Sequence, residues 1–430
     1  MHRQFVGSHR ADGTILIVTI WVVLVLAGLA LVFARSMRVA AIVSANQVAS
    51  LEAEWIASGA CQYIIAQLVA NATDSDALNE NAPWEALQVG QGYFWVLRPT
   101  LKSNQEFEFG LTDEAGKINL NSASLEMLLK LPGMSSELAA SVIDWRDEDG
   151  DVTTGGAEDE YYLLLPEPYN CKNAPFETVD EILLVKGASE ELLYGEDTNR
   201  DGRLTGGFYD YITVYSVEAN TDSEGNERIN LSDANARATL QSALQEVAKE
   251  ERVFEILNNI PISPSYASVM DFYFGARLTI EEFEQIADQL TVSDDETLPG
   301  LVNVNTAPKE VLLCLPELEE ADVEALVSYR QSNNSLDSVA WVAKVLDREK
   351  ATAIGPHITV RSSQYSADII CLSGNGRAYK RYKAVFDTQA GQPAVVYWKS
   401  LTRFGWPLEE DIVATLRKGR PITEARVGMR

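Results

Sequence analysis

Closely spaced carboxylates are the side chains in this chain best suited to chemistry, and the chemistry they suit is cation binding. Asp144, Asp147, Glu148, Asp149 and Asp151, then Glu158, Asp159 and Glu160, crowd a stretch rich in Gly and Thr. Carboxylates at this density repel one another unless a cation neutralises them. Calcium, a hard ion that accepts 6–8 oxygens in irregular geometry, fits such a loop. Its expected ligands here are Asp147, Asp149, Asp151, Glu158 and Asp159. A second run, Asp197-Thr198-Asn199-Arg200-Asp201-Gly202-Arg203-Leu204, follows the D-x-[DN]-x-D-G pattern of a calcium loop. Asp197, Asn199 and Asp201 are the expected ligands, and Gly202 permits the sharp turn. Phe208 stands where the pattern places its bidentate Glu, and Asp210 comes two residues late, which leaves Glu196 or a distant carboxylate to complete the shell. The bland alternatives are a solvated acidic loop and an Asx-rich turn.

Other chemistry is poorly supplied. There is no G-x-S-x-G, H-E-x-x-H, P-loop or Rossmann glycine pattern. Of three histidines, His2 and His9 lie at the extreme N-terminus, so histidine catalysis in the body would rest on His357. Paired carboxylates are so abundant that no glycosidase-like pair is marked out, and no enzymatic activity is expected. Cys61, Cys171, Cys314 and Cys371 are far apart without a C-x-x-C pair, which excludes zinc-ribbon and thioredoxin motifs but leaves one or two disulfides open.

At 430 residues the chain is long enough for two or three domains, and 46% hydrophobic residues supply their cores. Its 63 acidic against 35 basic residues give a formal charge of −28. That field repels phosphate backbones and anionic headgroups, so broad nucleic-acid binding is not expected.

The elements that must carry the acidic loops begin with an apolar segment. Thr14 to Ala34 are uncharged and span a bilayer core of roughly 30 Å as a helix. Apolar residues continue without Pro at helical spacing to about Asn71, which predicts one rod from Thr14 to Asn71. A cleaved secretory signal ending at Val32-Phe33-Ala34 is the alternative, but its apolar core would be shorter. Strand patterns follow at Tyr93–Leu97 and Phe107–Leu111, and return at Ile358–Val360, Ser366–Leu372, Tyr379–Phe386 and Ala394–Trp398, where Gly374-Asn375-Gly376 marks a hairpin. These strands are expected to form one antiparallel sheet.

Between the strand groups lies a repeat. Ile118-Asn119-Leu120-Asn121-Ser122-Ala123-Ser124 returns as Val302-Asn303-Val304-Asn305-Thr306-Ala307-Pro308, and both run into Glu-[Met/Val]-Leu-Leu-x-Leu-Pro. A weaker third copy, Ile229-Asn230-Leu231-Ser232-Asp233-Ala234, lacks the continuation. Asn121 or Asn305 with the adjacent hydroxyl residue is the expected helix N-cap. The helices Ser136–Arg146 and Asp322–Arg330 then complete two helix-hairpin-helix units. Such hairpins can hold a DNA phosphate, but Glu317, Glu319, Glu320, Asp322 and Glu324 crowd the second turn, so structural packing is the favoured use.

A polar leader ending in Gly13, with the apolar stretch directly behind it, resembles a type IV prepilin-like signal. INLNSAS, DWRDEDGD, GAEDEYY, NAPFETVDEILLVKG and VNVNTAP together resemble the minor pseudopilin K family of type II secretion systems. The likeness covers Thr14 to about Tyr215 and resumes near Leu301. Val18 occupies the fifth mature position, where major pilins carry Glu and this family does not. The resemblance implies an α+β fold: a long N-terminal helix, a pilin-like antiparallel sheet, and a large inserted all-α domain containing helix-hairpin-helix (SAM-like) repeats. It further implies cleavage between Gly13 and Thr14 by the prepilin peptidase, N-terminal methylation, calcium in the helical domain, and other minor pseudopilins as partners through their N-terminal helices. The location implied is the inner membrane, single-pass, with the bulk in the periplasm and a place at the pseudopilus tip. A membrane-tethered helix-hairpin-helix DNA-uptake protein is the alternative.

The expected division is leader 1–13, membrane helix 14–34, amphipathic helix and first strands 35–115, first hairpin domain with calcium loops 116–217, an insertion of unassigned role 218–300, second hairpin unit 301–356, closing strands 357–407, and a mobile tail 408–430.

Overall fold

The computed structural model describes residues 12–71, 78–79, 82–99, 107–196, 205–233, 235–261, 265–333 and 336–422. The expected rod is one helix, α1, Asp12–Ala70, of 59 residues. At 1.5 Å per residue it extends roughly 88 Å. Along its second half Ala49, Ala53, Ile56, Ala57, Ala60, Ile64 and Leu68 are buried, a stripe at helical spacing, while apolar side chains from Ile15 to Val43 are exposed.

The buried stripe lies on a seven-stranded antiparallel sheet made of β1 (Leu87–Val89), β2 (Gly92–Pro99), β3 (Phe107–Phe109), β4 (Thr112–Asp113), β5 (Gln364–Leu372), β6 (Tyr379–Asp387) and β7 (Ala394–Ser400). Its main path runs β1-β2-β5-β6-β7, with β3 beside β2 and β4 beside β5. The chain thus leaves the sheet after β4 and re-enters at β5, and the 250 residues between form the helical domain. Ile56, Ala57, Ala60, Ile64 and Leu68 pack on Phe94, Val96, Ala367, Ile369, Ala384 and Phe386. Approach is close at Gly92, where a Cβ would fall 2.3 Å from Ile56 Cδ1.

Alternation along β5 and β6 turns a different set of residues to the other face, which is divided. Trp95, Leu97, Ile370 and Leu372 are covered by Leu408, Ile412, Leu416 and Ile422, and Ile412 and Leu416 sit on a C-terminal helix, Glu410–Arg417. The expected mobile tail is therefore packed structure as far as residue 422, because its apolar residues at i, i+4 and i+8 form a stripe that the sheet needs. The rest of that face carries Asp368, Arg381, Lys383 and Lys399, and the helical domain covers it. Ile358–Thr359 is a further correction. It does not join the sheet but pairs in parallel with Val302–Asn303.

That pairing occurs three times. Ile118–Asn119 pairs with Ile212–Thr213, Ile229–Asn230 with Leu290–Thr291, and Val302–Asn303 with Ile358–Thr359, each in parallel. In each copy an Asn side chain accepts from the N–H two residues on (Asn119 to Asn121, Asn230 to Ser232, Asn303 to Asn305). In each, a Thr hydroxyl on the closing strand accepts from Tyr215, Ser293 or Arg361 N–H. The segment 218–300 therefore holds a third module of the same design, with helices Arg237–Val247, Glu250–Asn259, Val269–Ala276 and Ile280–Ile286 between its strands. One continuous hydrophobic core runs through all three modules.

The first module opens with Leu125–Leu129 and Ser136–Arg146, and the last with Lys309–Leu312 and Glu320–Ser332. The N-caps of the two short helices are Ser124 and Pro308, not the expected Asn121 and Asn305. Those asparagines instead reach across to Phe176 and to Leu336. Arg146 donates to Leu120 O and Ala123 O, and Arg330 donates to Val304 O and Ala307 O, so each second helix is tied back to the start of its repeat.

Candidate functional site

Two features stand out: the bare half of α1 and the acidic pocket of the first module. Among the described residues one helix, Thr14–Ala70, is long and apolar enough to cross a membrane. Thr14 and Gly13 lie in its first turn, and residues 1–11 of the expected leader fall outside the described residues. Beyond the apolar run, Val48, Leu51 and Trp55 stay exposed on the flank opposite the sheet, and Trp55 is 75% exposed. Only the second half of the rod is satisfied by its own chain.

The acidic pocket is built by the end of helix Ser136–Arg146 and the loop after it. Asp144 is fully buried on the last turn, where Oδ1 accepts from Thr153 N at 3.0 Å and Oδ2 has no partner. A Cβ at Gly156 would come within 2.0 Å of that Oδ2, so the loop closes over the carboxylate only because residue 156 is Gly. Asp147 Oδ1, both carboxylate oxygens of Glu158, and Asn173 Oδ1 are also buried without partners. Burial first, and then neighbouring acids, pushes the carboxyls of Asp147 and Glu158 above their usual range; Asp144 acts on both, and Asp147 on Glu158. Unpaired oxygens from four residues are thus brought together in a place that disfavours their own charge.

The other expected ligands of this loop are engaged locally. Asp149 Oδ1 accepts from Asp151 N, Asp151 is exposed, and Asp159 Oδ1 accepts from Cys171 N at 2.7 Å. Asn173 was not expected. It lies beyond the acidic run in sequence, and its Nδ2 donates to Asp149 O at 2.7 Å while its Oδ1 is buried without a partner. Asp197, Asn199 and Asp201 of the second loop lie outside the described residues. Among the described residues no three or more His, Cys, Asp or Glu side chains already stand in a ready metal geometry. All four cysteines are free thiols, so the disulfides left open by the sequence do not form.

The turns of the hairpin-like helix pairs offer little to a nucleic acid. Lys309 is taken by Glu320 and Glu324, Lys350 by Asp322, and Lys130 donates to Leu315 O at 2.9 Å.

Residues 110–194, which hold the acidic pocket, match the family model described as type II secretion system (T2SS), protein K. Over 209 residues the chain is 26% identical to type II secretion system protein K of Klebsiella pneumoniae, across 43% of this chain and 60% of that relative. The chain thus spans about three-fifths of the length of the curated relative it matches. A crystal structure of the GspK-GspI-GspJ complex from the enterotoxigenic Escherichia coli type 2 secretion system aligns with a TM-score of 0.44 at 13% identity, over 81% of this chain and 96% of that one. The matched segment starts just before β4 and ends with the helix Glu190–Tyr194, so it takes in the junction with the sheet and the first module up to, but not including, its closing strand Ile212–Thr213.

Proposed function

We propose that the chain is a minor pseudopilin of a type II secretion system that initiates or caps the pseudopilus at its tip. The observation that carries this reading is α1: a bare apolar half continuous with a half packed on an antiparallel sheet, in a chain whose residues 110–194 match protein K. A helix exposed over residues 15–43 needs either lipid or other helices around it. The same surface serves both in turn, first as a span in the inner membrane and then as a flank packed on the helices of other minor pseudopilins. Removal of the leader after Gly13 by the prepilin peptidase, with methylation of the new N-terminus, precedes assembly. The bulk of the chain lies in the periplasm. The two short-helix pairs act as helix-hairpin-helix (SAM-like) packing units and not as DNA clamps, and the wide helical domain above them blocks addition at the tip.

In the same reading the acidic pocket takes calcium. Its donors are all hard oxygens, as that ion prefers. Asp144, Asp147, Glu158 and Asn173 would hold it, with Asp149, Asp151 and Asp159 close by and the 197–201 loop as a second site. The ion would supply charge neutralisation and no reaction chemistry; the residues bind it and so stiffen the loop over helix Ser136–Arg146.

The test is complementation. In a secretion-competent bacterium lacking its own protein K homologue, expression of this chain with its partner pseudopilins should restore export of the cargo. A chain in which Gly13→Ala blocks leader removal should fail. Restoration by a version that lacks residues 1–34 would overturn the proposal, because such a protein has no membrane-inserted rod.

A further inference from the structure

Where the helical domain sits on the polar part of the sheet, the seam encloses a small cavity lined by Glu114, Lys117, Tyr209, Tyr215, Lys383 and Tyr397, among others. Most of the charge at this seam is paired. Glu114 accepts from Lys117 Nζ at 2.6 Å and from Thr213 Oγ1 at 2.5 Å. Asp180 accepts from Lys399 at 2.6 Å and Tyr397 Oη at 2.9 Å. Asp368 faces Lys383 across the β5–β6 ladder, but its carboxylate is turned to Arg381, which holds it through both oxygens.

Lys383 is the exception. It is only 8% exposed, and among the described residues no carboxylate lies within ion-pair distance of its ammonium. The Tyr209 ring is 6.0 Å away. Tyr215 Oη, in the same lining, is buried with no hydrogen-bond partner. The lining thus sets an idle ammonium and an idle hydroxyl beside a void, while Glu114, Asp368 and Asp210 act on Lys383 only from beyond ion-pair distance. A buried charge with no counter-charge in contact is costly. The void is small, of the size that holds a water or a monatomic ion.

We propose that this cavity binds one halide ion, chloride under native conditions, held by Lys383 Nζ and Tyr215 Oη at the seam between sheet and helical domain. The ion gives Lys383 a counter-charge in contact and gives the tyrosine hydroxyl an acceptor. It joins Lys383 on β6 to Tyr215 in the helical domain, and so stiffens the placement of one on the other.

The experiment uses the full chain in detergent micelles, melted in sodium chloride, sodium bromide and sodium gluconate at equal ionic strength. Chloride and bromide should raise Tm over gluconate by about 1–2 °C, as one small ligand at about ten times its Kd does for a chain of this length. Lys383→Met should abolish the difference between salts. Should that variant fail to fold, Tyr215→Phe, which keeps the charge but removes the hydroxyl, should shrink the difference. Equal Tm in all three salts means that water fills the cavity and overturns the proposal, as does a halide effect that survives in Lys383→Met or is undiminished in Tyr215→Phe. Crystals grown in bromide should give an anomalous peak between the two side chains; a peak only elsewhere is equally fatal to it.

Discussion

Ser362 Oγ donates a 2.6 Å hydrogen bond to Asp113 Oδ2 although 249 residues of chain separate them. Thr306 Oγ1 reaches the same oxygen at 2.5 Å and Asn303 Nδ2 at 3.2 Å. Asp113 ends β4, so one carboxylate fastens the exit from the sheet to the last module, just before the chain re-enters the sheet. Burial pushes this carboxyl up to about 6, against the pull of Ser362, Thr306 and the Ala115 N–H, while Glu114 adds to the rise.

That carboxyl gives a pH dependence with a definite sign. The folded group titrates near 6 and the unfolded one near its ordinary 3.8, so between those values the native state holds more protons. The resulting stability is complete below about pH 4 and is lost as pH rises through 6. Asp113→Asn removes the titration. Thermal melts from pH 4 to 7 should therefore show the wild-type advantage over Asp113→Asn shrinking as pH rises. A constant gap across that range rules the assignment out.

Calcium should raise Tm over a chelator control, by the equivalent of about 2.7 kcal/mol at a hundred times its Kd. Asp144→Asn and Glu158→Gln should remove that response, since each neutralises a carboxylate with at least one buried oxygen left without a partner. Mild acid should weaken the response as well, because the raised carboxyls of Asp147 and Glu158 must lose their protons before they bind a cation. Identical melting curves with calcium and chelator would dispose of the site.

Ile64→Ala on the buried stripe of α1 should cost about 2–5 kcal/mol in chemical denaturation, as large-to-small changes in a closed core do. A loss below about 1 kcal/mol would mean that the rod is only loosely seated on the sheet.

Trp55→Ser tests the opposite flank. The side chain is 75% exposed, so Tm should not move. Co-purification of the full chain with partner pseudopilins should fall several-fold, because a large apolar contact is removed. Undiminished co-purification would place the helix contacts elsewhere.

The asparagines that close the modules should rank by burial. Asn119 is buried and bonds Asn121 N, Ser216 O and Ser216 Oγ, whereas the Asn230 side chain bonds Asp294 at an exposed edge. Asn119→Ala should cost about 1–3 kcal/mol through the buried groups it strands, and Asn230→Ala less. The reverse order in urea melts would contradict the closure.

The rod was legible because apolar spacing and the absence of Pro between residues 14 and 70 are local properties. So were β2, β5, β6 and β7, whose apolar or alternating runs between turn residues are local as well. The third module was only half legible. Its opening Ile-Asn-Leu-Ser was visible, but its closing Leu290-Thr291-Val292 resembles Ile212-Thr213-Val214 and Ile358-Thr359-Val360 too briefly to register until the parallel pairs bring the ends together. Ile358–Thr359 escapes a sequence reading for the same reason, since two residues cannot declare which partner they pair with. In the pocket the acidic run was plain, yet which oxygens are left idle depends on contacts such as Thr153 N with Asp144 and Asp149 O with Asn173, which no spacing encodes.

Each module enters and leaves through two strands lying side by side, as at Ile229–Asn230 and Leu290–Thr291. A segment whose two ends meet at one point in space can be spliced into or out of a chain while its flanks stay where they are. Copy number, and with it the breadth of the domain above the rod, can then change in whole steps during evolution without redesign of the sheet or of α1.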